Sequence, residues 1–99
     1  MNRPFYSEYA RHCMRFYARN INKVIFSTEV DMNNWFACRR ALEGYSDKDR
    51  DILIRIFAMY DTLADNVYEV SKLYSIDQNI IWDLIKNFER NIAQQRGLI

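Results

Sequence analysis

Apolar residues along this chain recur at intervals of three and four, the spacing of a helix face, in five stretches separated by short polar breaks. The pattern predicts helices over about residues 5–20, 32–43, 47–60, 62–74 and 78–96. In the first, Tyr6, Tyr9, Cys13 and Phe16 make a stripe expected to face the core, with Arg11, Arg15 and Arg19 as a basic outer face. The second is expected to turn Trp35, Cys38 and Leu42 inward and to stop at Gly44. The third carries Ile52, Leu53, Ile56, Phe57 and Tyr60 as one face. Ser46 precedes it as an N-cap, and Asp47, Asp49 and Asp51 suit the positive end of its dipole. Between the first two helices, "INKVIFSTEVD" is less regular, and its residues 24–26 fit either a short strand or an apolar loop packed on the core.

Composition strengthens the helical reading. Two glycines and one proline in 99 residues leave little material for β-hairpin turns. With 49% hydrophobic and 15% aromatic residues, the chain can build one core of its own. The expected fold is therefore all-α, a compact bundle of about five helices in a single domain over residues 1–99. No apolar run approaches the roughly 20 residues of a membrane span, and the opening "MNRPFYSEYARHCMRFYARN" lacks the apolar stretch of a signal peptide. A cytoplasmic protein is expected. Cys13 and Cys38 lie far apart on apolar helical faces, so both are expected to be reduced and buried.

The polar break inside "VSKLYSIDQNIIWDLI" has no glycine or proline, yet it interrupts two good helical segments. Val70, Tyr74, Ile76, Ile81 and Leu84 supply apolar contacts on both sides, Ser71 is small where two helices would cross, and Asp77 can cap the second helix. This arrangement resembles a DNA-binding helix-turn-helix, whose second helix enters the major groove. It departs at Ser75, which stands where glycine is common.

Upstream, "GYSDKDRDILIRIF" resembles the helix that opens region 4 of bacterial sigma factors, and "WDLIKNFERNIAQQRGLI" is similar to the closing helix of small region-4-like regulators of phage and other mobile elements. The resemblance covers residues 45–99 and departs at the longer "AMYDTLADNVYEV" connection; residues 1–44 form N-terminal helices outside it. It implies promoter or operator binding in a bacterium or its mobile elements. Nothing resembling the promoter-melting regions of a sigma factor is present.

If Ile81, Leu84, Ile85, Phe88 and Ile92 face the core, the last helix turns Asn79, Asp83, Lys86 and Arg90 outward, with Gln78 and Trp82 at the shoulder. Asn and Gln pair with adenine, Asp accepts from cytosine, and Lys reaches guanine or phosphate. An ordinary amphipathic helix would also show a solvated polar face of this kind. Arg11, Arg15, Arg19 and Lys72 are candidate phosphate contacts. The net charge is only +1, against the usual strongly basic DNA-binding domain. Its distribution is uneven: five basic and one acidic residue over 1–26, six and ten over 27–77, three and two over 78–99. The acidic middle suits a basic partner such as RNA polymerase or another regulator, and a homodimer is also compatible.

Enzyme chemistry finds little support. His12 is the sole histidine and pairs at most with Glu8, and no phosphate loop, nucleophile motif or metal-ligand cluster occurs. Asp47, Asp49 and Asp51 imitate the start of a calcium loop, but Ile52 and Ala58 occupy the positions that need Gly and Glu. Neither metal nor cofactor is expected. The alternative to DNA binding is a non-enzymatic helical adaptor that binds another protein.

Overall fold

A computed structural model describes residues 3–23 and 25–99. They form α1 (Ser7–Arg19), α2 (Glu29–Leu42), α3 (Asp47–Ala58), α4 (Leu63–Tyr74) and α5 (Gln78–Gln95), with no strand among the described residues. The last four helices start on side-chain caps. Thr28, Ser46, Thr62 and Asp77 accept from the backbone N–H of Asp31, Asp49, Asp65 and Asn79 respectively, each satisfying a donor that the first turn leaves free.

One hydrophobic cluster draws on all five helices. α1 packs against α2, α3 and α5, α2 also against α5, and α4 against both α3 and α5. The N-terminal helices therefore share their core with the C-terminal three. Cys13 and Cys38 are both buried within it, and burial pushes the Cys13 thiol up to about 11, so it stays protonated at neutral pH.

Three sequence expectations are corrected. In α1 the buried side is Ala10, Cys13, Met14 and Tyr17, about one residue round from the expected stripe. Tyr6 and Phe16 are half-buried, while Tyr9 is 36% exposed and its hydroxyl donates to Asn34 Oδ1 at 2.9 Å. Small Ala10 and flexible Met14 suit a helix packed against three others, where bulky rings would hold the backbones apart. Second, Tyr60 does not belong to the α3 face. The helix ends at Ala58, and Tyr60 is 82% exposed beneath the Arg19 guanidinium, 4.0 Å from the ring centre. Asn66, buried on α4, holds that helix end by donating to the Ile56 carbonyl at 3.0 Å.

Third, α2 starts at Glu29 rather than about 32. Of the segment before it, Val24 lies outside the described residues, and Ile25 and Phe26 are irregular. Phe26 packs its ring against Phe16, Trp35 and Phe36, as an apolar loop on the core would.

Along α5, Ile81, Ile85, Phe88 and Ile92 are fully buried, whereas Leu84 is only half-buried. Ile81→Ala should therefore cost roughly 2–5 kcal/mol in chemical unfolding, and Leu84→Ala distinctly less. Equal losses would mean that the two side chains share one environment.

Candidate nucleic-acid interface

The connection between α4 and α5 is three residues long, Ser75 to Asp77. Ser75 adopts the left-handed conformation, φ 54° and ψ 48°. Its N–H donates to the Lys72 carbonyl at 3.3 Å, and the Ile76 N–H reaches back to the Ser71 carbonyl at 3.0 Å. These paired bonds finish a helix on a left-handed residue, the position glycine usually takes. Ser71 is buried, and its hydroxyl is turned onto the Tyr68 carbonyl at 2.7 Å. Asp77 Oδ1 then accepts the Asn79 N–H at 2.7 Å and starts α5 at once.

A left-handed conformation strains a β-carbon by roughly 1–2 kcal/mol, while glycine loses more backbone freedom on folding by roughly 0.5–1 kcal/mol. Ser75→Gly should accordingly stabilise the protein by about 0.5–1 kcal/mol, read as a raised Tm. A lowered Tm would show that Ser75 has a stabilising role of its own.

The turn aims the start of α5 away from the core. Gln78, Asn79, Asp83, Lys86 and Arg90 are all exposed, and Trp82 is half-buried beside them. The outward row thus combines amides, one carboxylate and two cations. Ile80, 62% exposed, adds an apolar group at its edge that was not singled out in the sequence. Lys72, on α4, is exposed but occupied by a surface pair with Glu69 at 3.3 Å, a contact weak enough to exchange for another anion.

The N-terminal arginines do not form the expected free stripe. Arg11 lies against α5, where its Nε donates to Glu89 Oε2 at 2.6 Å; the side chains are 12% and 4% exposed. Ser7 Oγ donates to Glu89 Oε1 at 2.5 Å, so both carboxylate oxygens are satisfied. Arg15 is half-buried, and Arg19 donates to the Met59 carbonyl at 2.9 Å while covering Tyr60. The reason is topological: α1 packs beside α5 and α3, which turns this row toward other helices.

Two supports of α5 lie outside the residues the sequence reading picked out. One is Glu89 with Ser7. The other is Tyr45, just before α3, whose hydroxyl donates to Asn87 Oδ1 and accepts from Asn91 Nδ2 at 2.6 Å while its ring stacks edge-on against Phe88. Burial raises the Tyr45 phenol above its ordinary range, so it remains a donor at neutral pH. A signal for Glu89 was present, because it falls four residues after Ile85 on the inward side of the helix.

Among the described residues no group of three His, Cys, Asp or Glu side chains converges as a metal site. No described helix is long and apolar enough to cross a membrane. No protein family, curated protein or solved structure matches the chain.

Proposed function

We propose that this protein binds double-stranded DNA in a sequence-specific way and acts as a transcriptional regulator of a bacterium or mobile element, reading the major groove with α5. The observation that carries the reading is the α4–α5 junction. A three-residue turn with one left-handed residue, a small buried Ser71 and a capped second helix offers Gln78, Asn79, Asp83 and Lys86 together to solvent. These side chains have donor and acceptor patterns suited to base edges. The resemblance of residues 45–99 to sigma region 4 points the same way.

In this reading Lys86 and Arg90 also approach phosphates, with Lys72 from α4. Arg11 is withdrawn from contact with DNA because its pair with Glu89 keeps it packed between α1 and α5, with 12% of its side chain exposed. The few free cations imply modest non-specific affinity, so base contacts must supply much of the discrimination. The acidic residues of the middle of the chain suit a basic partner such as RNA polymerase or another regulator, and a second copy of the chain is also compatible.

Binding measured on a selected site and on random duplex tests the reading. Asn79→Ala should cost roughly 1–3 kcal/mol on the selected site and little on random duplex. Asp83→Asn should do the opposite to random duplex, raising its affinity by removing a charge that repels phosphate, and so lower discrimination. If all variants bind alike, the functional surface lies elsewhere. The exposed Tyr68, Leu73 and Ile80 would then favour the helical protein adaptor, since apolar side chains left in water mark protein contacts.

A further inference from the structure

Beside the outward face of α5, a cleft of about 720 Å³ opens between that helix and the start of α1. Its size falls among cavities that take small organic molecules. Each element contributes one aromatic wall, Tyr6 from the α1 side and Trp82 from α5, and the cations Arg3, Arg11 and Lys86 line it with Glu89. Arg3 is itself paired with Glu8 at 2.7 Å, so cations exceed carboxylates around the cleft by one, and the cation left without a carboxylate among the described residues is Lys86.

The carboxylate of Glu89 does not make this a cation site. Both of its oxygens are engaged, one by Ser7 and one by Arg11 Nε. Arg11 uses only that one N–H in a hydrogen bond among the described residues; its Nη1 makes a loose ion pair with Glu8 at 3.9 Å, and the 12% of the side chain that is exposed borders the cleft, so its remaining N–H groups are open to a stronger acceptor there. Lys86 is exposed and has no carboxylate partner among the described residues.

We infer that the cleft binds a small planar aromatic anion, its ring lying against Tyr6 and Trp82 and its carboxylate or phosphate held by Lys86 and the open edge of Arg11. A guanidinium offers a flat fork of donors to such a group, and aromatic rings are suited to a flat apolar body. The inference does not depend on DNA binding. Trp82 and Lys86 do belong to the face proposed to read bases, so a bound molecule and DNA would claim the same side chains.

The test uses the whole protein without DNA and 2-naphthoate as probe, with 2-naphthylmethanol and 2-naphthylmethylamine as neutral and cationic controls. Nuclear magnetic resonance distinguishes the indole N–H of Trp82 from that of Trp35, which is buried and donates to the Asn20 carbonyl at 2.9 Å. The carboxylate should shift the Trp82 signal saturably with a Kd on the order of a millimolar or below and leave Trp35 in place, which for so small a ligand is a modest affinity. The alcohol and the amine should bind more weakly. Lys86→Ala, at an exposed position where folding is not at issue, should weaken the carboxylate about tenfold, as expected for one lost charge-assisted hydrogen bond. Tighter binding of the amine, an unchanged Kd in Lys86→Ala, or no saturable shift of Trp82 would each overturn the proposal.

Discussion

Arg11→Ala should destabilise the fold by roughly 3–5 kcal/mol, because it strands a buried carboxylate without its counter-charge. Glu89 is 4% exposed, and after the substitution only the Ser7 hydroxyl would answer it. Although Glu89 borders a cleft, only 4% of its side chain meets solvent, so little of the desolvation cost of the charge is recovered. Replacing both partners with apolar groups of similar size, Arg11→Met with Glu89→Leu, should restore most of the loss, since neither charge then needs burial. Urea unfolding of the single and double variants decides it. A loss below about 1 kcal/mol for Arg11→Ala would mean that the pair behaves like a surface ion pair, and Arg11 would again be available for phosphate.

Phe88→Ala should cost roughly 3–5 kcal/mol by leaving a cavity where a large ring was. The side chain is 1% exposed and sits in the common cluster of all five helices, with the Tyr45 ring edge-on to it at 5.7 Å. That contact ties α5 to the start of α3, so the loss includes an aromatic pair worth roughly 0.5–1.5 kcal/mol. Tyr45→Phe keeps the ring and removes only the hydroxyl that bridges Asn87 and Asn91. It should cost nearer 1 kcal/mol, the usual net worth of a hydrogen bond. Comparable losses for the two variants would show that the amide bridge, rather than the ring packing, fixes α5.

The five helices were legible because each long apolar face repeats with the helix period, and the limits of that signal explain the misses. α2 carries no core residue in its first turn, where Val30 is exposed, so periodicity could not reveal that it begins at Glu29. The Thr28 cap followed by acidic residues was the local mark of that start. In α1 the weight given to large rings rotated the face by about one position, whereas close packing against three helices selected Ala10 and Met14.

The α4–α5 turn was legible residue by residue. Ser71 and Asp77 take up the small and capping positions expected of them, and Ser75, the departure from the pattern, nevertheless adopts the left-handed conformation that glycine commonly supplies. The outward row on α5 followed from its inward stripe. The Arg11–Glu89 contact joins residues 78 positions apart, and no local pattern reports such a pairing. Only the charged residue on an apolar stripe hinted that Glu89 needed a partner.

Contact between DNA and the row opened by Gln78 and Asn79 is tested most directly by a binding footprint on the isotope-labelled protein. Duplex carrying a selected site, titrated at low and at raised salt, should shift the amide and side-chain resonances of Gln78, Asn79, Trp82, Asp83 and Lys86 most. Signals on α2, which carries none of the proposed contacts, should stay in place. Raised salt should weaken the complex, as release of phosphate counterions requires. Absence of binding at low salt, or a footprint centred away from the start of α5, would contradict the account.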